Sequence, residues 1–324
     1  MGMITVIGSL NIDLVVRTPR IPQAGETLAG SAFHIIPGGK GANQAVAAAR
    51  SGASTQMVGS VGRDAFGQEL LESLTCARVD VSGVETLQDI STGTATILVE
   101  ENGQNRIVIV AGANDRVTPA LIDAHWSTIQ ESDLILMQHE IPLKTVHHVL
   151  QKARKHNILT LLNPAPFYDI DDQILTLVNI LILNDLEAAA LSHSRVVSID
   201  SAFAAAKILR ERGAESVIVT LGALGAVLED SSHHFFQPSF QVEVVDSTAA
   251  GDTFIGAYAA SLLSSRDPED AILFATAASA LAVTRLGAQT SIPRKEEVED
   301  FLRQHPQERK TAQCVDTGGE REKS

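Results

Sequence analysis

Short runs of Val, Ile and Leu alternate along this chain with longer stretches in which apolar positions recur every three or four residues. The short runs at 4–7, 55–60, 134–137, 158–162, 180–183 and 216–220 lack strict alternation, which predicts parallel strands covered on both faces. The longer stretches predict helices at 42–51, 66–76, 119–130, 144–155 and 202–212. Two closely spaced helices follow at 251–264 and 268–285, and another starts near Arg294. Strands and helices in turn are the rhythm of a layered α/β fold.

One region departs from it. Residues 94–100 and 106–110 alternate or run apolar around Glu101-Asn102-Gly103-Gln104-Asn105, a hairpin signal. Residues 14–17 and 33–36 also read as strands, joined by a Pro- and Gly-bearing stretch over 18–30. Together they predict a small sheet, drawn from about 14–37 and 94–111, standing off the main body as a lid, an interface or both. Residues 1–304 are read as a single domain, and the polar, aperiodic tail over 305–324 as disordered.

Composition narrows the partners. With 324 residues, 44% of them hydrophobic and 20% charged, the chain is neither disordered nor fibrous. Asp and Glu number 39 against 25 Lys and Arg, a formal charge of -14 with no basic cluster, which argues against a nucleic-acid partner. Cys76 and Cys314 make no disulfide framework and lack metal-ligand spacing. The longest apolar stretches are too short for a bilayer, and the first ten residues lack a signal peptide's basic start and cleavage site. A soluble cytoplasmic protein with no membrane partner is expected.

Four segments carry candidate chemistry. In Asp246-Ser247-Thr248-Ala249-Ala250-Gly251-Asp252-Thr253-Phe254, an apolar strand at 242–245 runs into small residues and then an Ala- and Leu-rich helix. Ala249, Ala250 and Gly251 let backbone N–H groups at the helix start approach an anion closely. A carboxylate placed there suits a base taking a hydroxyl proton beside a bound phosphoryl group, or else an ordinary first-turn acid stabilised by the helix dipole. Pro37-Gly38-Gly39-Lys40-Gly41-Ala42-Asn43-Gln44-Ala45 opens another helix with three glycines around a lysine, suiting either a polar ligand or a structural turn. It is not a P-loop, since Gly41 follows Lys40 and His34 stands at the first glycine position. Asn11 and Asp13 directly follow the first strand, where α/β folds bind ligands, although both are also turn formers. If a helix starts after the 180–183 strand, Asn184 and Glu187 lie on one face and could orient Mg²⁺ waters and phosphate; the competing reading, an N-cap with a capping-box Glu, is the one their spacing favours. No zinc or serine hydrolase motif occurs, and no G-x-G-x-x-G follows a strand, which disfavours a dehydrogenase.

Taken in order, these segments resemble the ribokinase-like (PfkB-type) carbohydrate kinase family, from about Thr5 to about Arg303. Gly38-Gly39-Lys40-Gly41-Ala42-Asn43-Gln44-Ala45 resembles its N-terminal signature and the Asp246–Phe254 segment its C-terminal one. Asn163-Pro164-Ala165-Pro166 and Gly287-Ala288-Gln289-Thr290-Ser291 are similar as well. The resemblance implies a three-layer α/β sandwich with a mostly parallel central sheet and a small β-lid that closes over a sugar and often forms a homodimer interface. It implies ATP-dependent phosphorylation of a sugar, D-ribose at its 5-hydroxyl, with Asp252 as the base and the N–H groups around Ala249, Ala250, Gly251 and Asp252 as the anion hole. Asn11, Asp13, Gly39, Lys40, Asn43 and Glu140 match sugar-binding positions. Asn184, Thr220, Leu221, Gly222, Ala223, Leu224 and Gly225 match nucleotide-binding ones, with Gly251 and Thr276 beside them. Glu187 matches the acid that organises Mg²⁺ indirectly, and Asp246, Thr248, Ala282, Arg285, Gly287 and Ser291 an activating K⁺ site.

Leu183 stands where the family commonly has Pro, Ser247 replaces a commoner Thr, and Ile255 and Thr276 differ from the Asn and His of some members. None of these removes a residue to which the resemblance gives a catalytic role. The alternatives are a kinase of deoxyribose, a ketose or a nucleoside, and a catalytically idle sugar-binding regulator.

Overall fold

The computed structural model describes residues 2–102, 104–306 and 313–314. Strand β1 (Met3–Ile7) lies in the central sheet, and β2 (Asn11–Thr18) and β3 (Ala32–Gly38) leave it for a smaller one. Helix α1 (Lys40–Arg50), β4 (Ser54–Gly62), α2 (Ala65–Cys76) and β5 (Asp80–Leu87) return to the main body. The pair β6 (Gly93–Glu100) and β7 (Asn105–Val110) completes the small sheet. Next come α3 (Pro119–Ile129), β8 (Leu134–Gln138), α4 (Leu143–His156), β9 (Leu159–Asn163), α5 (Asp172–Leu175) and β10 (Ile180–Asn184). Helices α6 (Asp185–Ser192) and α7 (Ile199–Glu211) lead to β11 (Ser216–Thr220) and the hairpin β12 (Gly225–Glu229) and β13 (His234–Pro238). Helices α8 (Ala250–Ser265), α9 (Pro268–Ala282) and α10 (Lys295–Gln304) follow, and the two-residue β14 (Gln313–Cys314) pairs with β13.

The central sheet has the order β14-β13-β12-β11-β10-β9-β8-β1-β4-β5, parallel from β11 to β5 and antiparallel from β11 outward. Alternate residues of each strand face different helix layers. Ile180 and Ile182 of β10 join a core built with α1, α8 and α9, whereas Leu181 and Leu183 join one built with α4, α6 and α7. Burial on both faces explains why the strands read as unbroken apolar runs. The fold is α/β in three layers, with a separate small sheet ordered β3-β2-β6-β7 in which β2 and β6 are parallel and the outer pairs antiparallel.

The expected strand at 242–245 does not form. The chain leaves the sheet at Pro238, and the N–H groups of Val245 and Asp246 both donate to Val283 O, just past α9, at 2.8 and 3.1 Å. Val244 and Val245 are exposed, so this apolar run lines a surface trough instead of filling a sheet. Beyond Pro306 the expected tail lies outside the described residues, apart from the backbone pairing of residues 313–314.

Candidate active site

Helices α1 and α8 both begin near the carboxyl ends of central strands, and both have an N-cap residue in the left-handed region, Gly39 (φ 88°) and Ala249 (φ 58°). At Gly39 a side chain is ruled out, because a Cβ would lie 2.7 Å from the Asn11 nitrogen. The helices cross at Gly256, where a Cβ would stand 2.4 Å from Gln44 O. That close approach carries two α1 amides to the first turn of α8. Asn43 Nδ2 donates to Asp252 Oδ2 at 3.0 Å, and Gln44 Nε2 to Asp252 Oδ1 at 2.9 Å. Asp252 is only 8% exposed, and these donors offset much of the cost of burying its charge.

The sugar-site candidates gather where the small sheet meets the main body. Glu140 Oε2 accepts from Ser9 Oγ at 2.5 Å and from the Lys40 N–H at 3.0 Å. Asn11, at the root of β2, is buried, and its Oδ1 accepts from Asn114 Nδ2 at 2.7 Å. Asp13 lies so close to Gly38 that a Cβ there would stand 2.6 Å from its Oδ2. Burial, then repulsion from Glu140 and Asp252, pushes the Asp13 carboxyl up to about 7. Burial pulls the Lys40 ammonium down, but Asp252, Glu140 and Glu187 outweigh it and leave Lys40 raised. One cation thus serves several carboxylates.

Two adjoining cavities of about 290 and 230 Å³ share Thr220, Ser247, Ala250 and Gly251. Each alone is below the roughly 300–1,000 Å³ of a pocket that buries a drug-sized ligand, but together they form one trough. The larger one is walled by Phe240, Val242, Val244, Phe254 and Val283, a lining suited to a flat heterocycle. Thr220, Gly222, Ala223, Gly225 and Thr276 also line it, and the buried Thr276 hydroxyl has no protein partner. Of the expected nucleotide residues, Leu221 packs against the core under α7 and Leu224 stands exposed, so neither side chain faces the cavity. The smaller cavity is polar, lined among others by Lys40, Asn184, Glu187 and Asp252. Gly251 borders open space, with nothing within 4 Å of where its Cβ would stand. Helix α8 offers its first-turn N–H groups here, although that of Ala250 already donates to Ser247 O at 3.2 Å.

Asn184 and Glu187 form the capping box that their spacing favoured: Asn184 Oδ1 accepts from the Glu187 N–H at 2.8 Å and Glu187 Oε2 from the Asn184 N–H at 3.0 Å. The capping role leaves the pair on the cavity wall. Burial pushes the Glu187 carboxyl up, against the pull of the Asn184 N–H and Lys40. In the other expected cation loop, Asp246 Oδ1 accepts from Thr248 N and Oγ1 at 2.9 and 2.7 Å, and Oδ2 from the Gly287 N–H at 2.9 Å. Those donors outweigh burial and keep Asp246 below the ordinary carboxylate range. Ser291 is buried with its hydroxyl on Ala288 O, while Arg285 reaches Glu297 at 2.6 Å and Ala282 O accepts the Arg285 N–H. Among the described residues no group of three or more His, Cys, Asp or Glu could hold a metal ion by itself.

Ser9, Asn114 and Gln138 carry site contacts that the sequence did not announce, and Gln44 and Asn163 stood inside quoted motifs without a role. Gln44 Nε2 also contacts Asn163 Oδ1 at 3.3 Å, and Gln138 Nε2 donates to Gln44 Oε1 at 2.7 Å. A polar residue within an otherwise apolar strand, as Gln138 is at the end of Leu-Ile-Leu-Met, was the available signal.

The trough, the left-handed helix start and its carboxylate describe a phosphotransferase, and the model of the pfkB family carbohydrate kinases matches residues 1–295. The chain belongs to that family and is a sugar kinase. It is 38% identical to the ribokinase of Haemophilus influenzae (92% of this chain, 98% of that protein) and 40% identical to that of Bacillus subtilis (93% and 100%). The deoxyribokinase of Salmonella typhimurium is 37% identical (92% and 98%). Among solved structures, Thermotoga maritima ribokinase superposes with a TM-score of 0.85 at 39% identity, covering 94% of this chain and 100% of that one. Arabidopsis thaliana ribokinase, complexed with ribose and ATP, gives 0.88 at 30% identity, covering 93% and 98%.

Proposed function

We propose that this chain transfers the γ-phosphoryl group of ATP to the 5-hydroxyl of D-ribose, giving D-ribose 5-phosphate and ADP. The observation that carries the reading is the buried Asp252 carboxylate, gripped by two amides and set at the start of α8 beside open space at Gly251. In the reaction the ribose O5–H proton passes to Asp252 as the O5–P bond forms, and the bond from phosphorus to the β,γ-bridging oxygen breaks. The N–H groups around Ala249 to Asp252 receive the charge on the migrating group. Asn11, Asp13, Gly39, Lys40, Asn43 and Glu140 hold the sugar, and Lys40 balances the surrounding carboxylates.

The apolar cavity takes the adenine, with Thr276 and the 220–225 turn at its edge. Glu187, a carboxylate on the wall of the polar cavity beside Asp252, fits the indirect Mg²⁺ role, and that ion would neutralise the phosphates. Asp246, kept ionised and joining the Thr248 turn to the Gly287 loop, fits a K⁺ that would steady the anion hole. In this reading residues 1–304 act as one domain, and the small sheet excludes water from the sugar and pairs with a second copy of the chain.

A second reading, deoxyribose as acceptor, is favoured by the Salmonella relative, whose identity is close to that of the ribokinases. Relative kcat/KM for ribose, 2-deoxyribose, fructose and adenosine, measured by ADP release, decides between them. Ribose is expected to lead the series. Negligible ribose turnover overturns the proposal, and sugar binding without ADP release would make the chain a regulator.

A further inference from the structure

A chain of buried amides runs from the central sheet to the candidate base. Gln138 closes β8, Gln44 lies in α1, and both are 0% exposed. Gln138 Nε2 donates to Gln44 Oε1 at 2.7 Å, and Gln44 Nε2 donates to Asp252 Oδ1 at 2.9 Å and to Asn163 Oδ1 at 3.3 Å. Asn163 is itself fixed by donating Nδ2 to Ile182 O at 3.0 Å.

The chain has one workable polarity. An ionised carboxylate only accepts hydrogen bonds, so Gln44 must turn its NH₂ toward Asp252 and its oxygen away. Gln138 must then present its own NH₂, which leaves Gln138 Oε1 buried without a partner. That oxygen occupies space kept free by Gly8, where a Cβ would stand 2.0 Å from it. An orphaned buried acceptor loses its water hydrogen bonds without replacement and so destabilises the fold. That cost falls at the sheet end of the network, while its other end holds Asp252 Oδ1.

We infer that Gln44 is a positioning residue for Asp252, and that Gln138, given room by Gly8, sets which way the Gln44 amide points. This rests on Asp252 being the base. With Oδ1 and Oδ2 each held by one amide, the carboxylate plane is fixed, and its remaining lone pairs are left for an acceptor hydroxyl.

Gln44→Met keeps the side-chain length and removes the donor. The expected result is a 10- to 100-fold fall in kcat with the sugar KM within about threefold, because orientation and not sugar affinity is lost. Gln138→Met is expected to cost roughly 3- to 10-fold, and nothing further when added to Gln44→Met, since it acts through Gln44. Wild-type kcat in a folded Gln44→Met, additive losses in the double variant, or a loss confined to KM would overturn the inference. Should Gln44→Met fail to fold, the side-chain NH₂ signals of Gln44 decide by NMR. They should be shifted and exchange-protected, and should revert toward a free amide in Asp252→Ala and in Gln138→Met; free-amide signals in the wild type contradict the relay. Absent ribose turnover in the wild type counts against the kinase reading alone, and the NMR comparison still tests the relay.

Discussion

At the residue scale, the site holds side chains in states that water would not favour. Asp13 is the clearest case, a carboxyl pushed up to about 7 by burial and by its carboxylate neighbours. An unfolded Asp ionises near 4, so between about pH 4 and 7 the folded chain binds the extra proton and stability falls as pH rises, levelling off above 7. Asp13→Asn removes that penalty: unfolding free energy at pH 8 should rise, by at most about 4 kcal/mol, while at pH 4 it should hardly change. The same variant should bind sugar more weakly. Denaturant titrations at the two pH values check this, and an equal shift at both would contradict it. Gly251 separates stability from function in another way. Its missing Cβ would meet only open space, so Gly251→Ala should stabilise the fold by up to about 1 kcal/mol, by restricting the unfolded chain, while obstructing the trough. A Tm that holds or rises alongside a clear drop in kcat is the expected pair of measurements; unchanged kcat would show that nothing approaches this turn closely.

At the element scale, legibility in the sequence followed burial. The strands at 134–137, 180–183 and 216–220 were readable because both of their faces are covered, and the long helices because one stripe is. Strand β5 was missed because Asp80-Val81-Ser82-Gly83-Val84-Glu85 mixes polar and apolar positions at the sheet edge, and β12 and β13 are short and joined by a polar turn. The run at 242–245 misled because Val242 and Val244 line a surface cavity, Val242 also touching the core, while Val244 and Val245 stand exposed without pairing in a sheet. The helix starts at Gly39 and Ala249 were legible from small residues, but the crossing at Gly256 that brings Gln44 to Asp252 is tertiary and leaves no local pattern. The small sheet was legible too, and its exposed positions carry a prediction. Ile107, Val108, Ile109 and Val110 of β7 are each more than half exposed. Register places Ile109 opposite Ala95 and Ala95 opposite Asp13, so Ile109 shares a face with Asp13. Ile107→Asp with Ile109→Asp should convert a dimer to a monomer in light scattering and raise the sugar KM. A wild-type monomer would refute the pairing.

At the scale of the whole molecule, the layers converge on one arrangement. The parallel sheet delivers the ends of β1, β8, β9, β10 and β11 to one rim, α1 and α8 start beside it, and the small sheet rises from the same rim at Asn11. No helix among the described residues is long and apolar enough to cross a membrane. What the architecture concentrates is a carboxylate, an ammonium and free helix-start amides around a trough, and phosphoryl transfer asks mainly for such positioning and charge balance. The most direct test replaces the carboxylate by its isosteric amide. Single-turnover formation of ribose 5-phosphate by Asp252→Asn, with ribose and ATP affinities measured alongside, should fall by about 10²–10⁴ while both ligands still bind. Phosphate transfer at the wild-type rate in that variant would contradict the account.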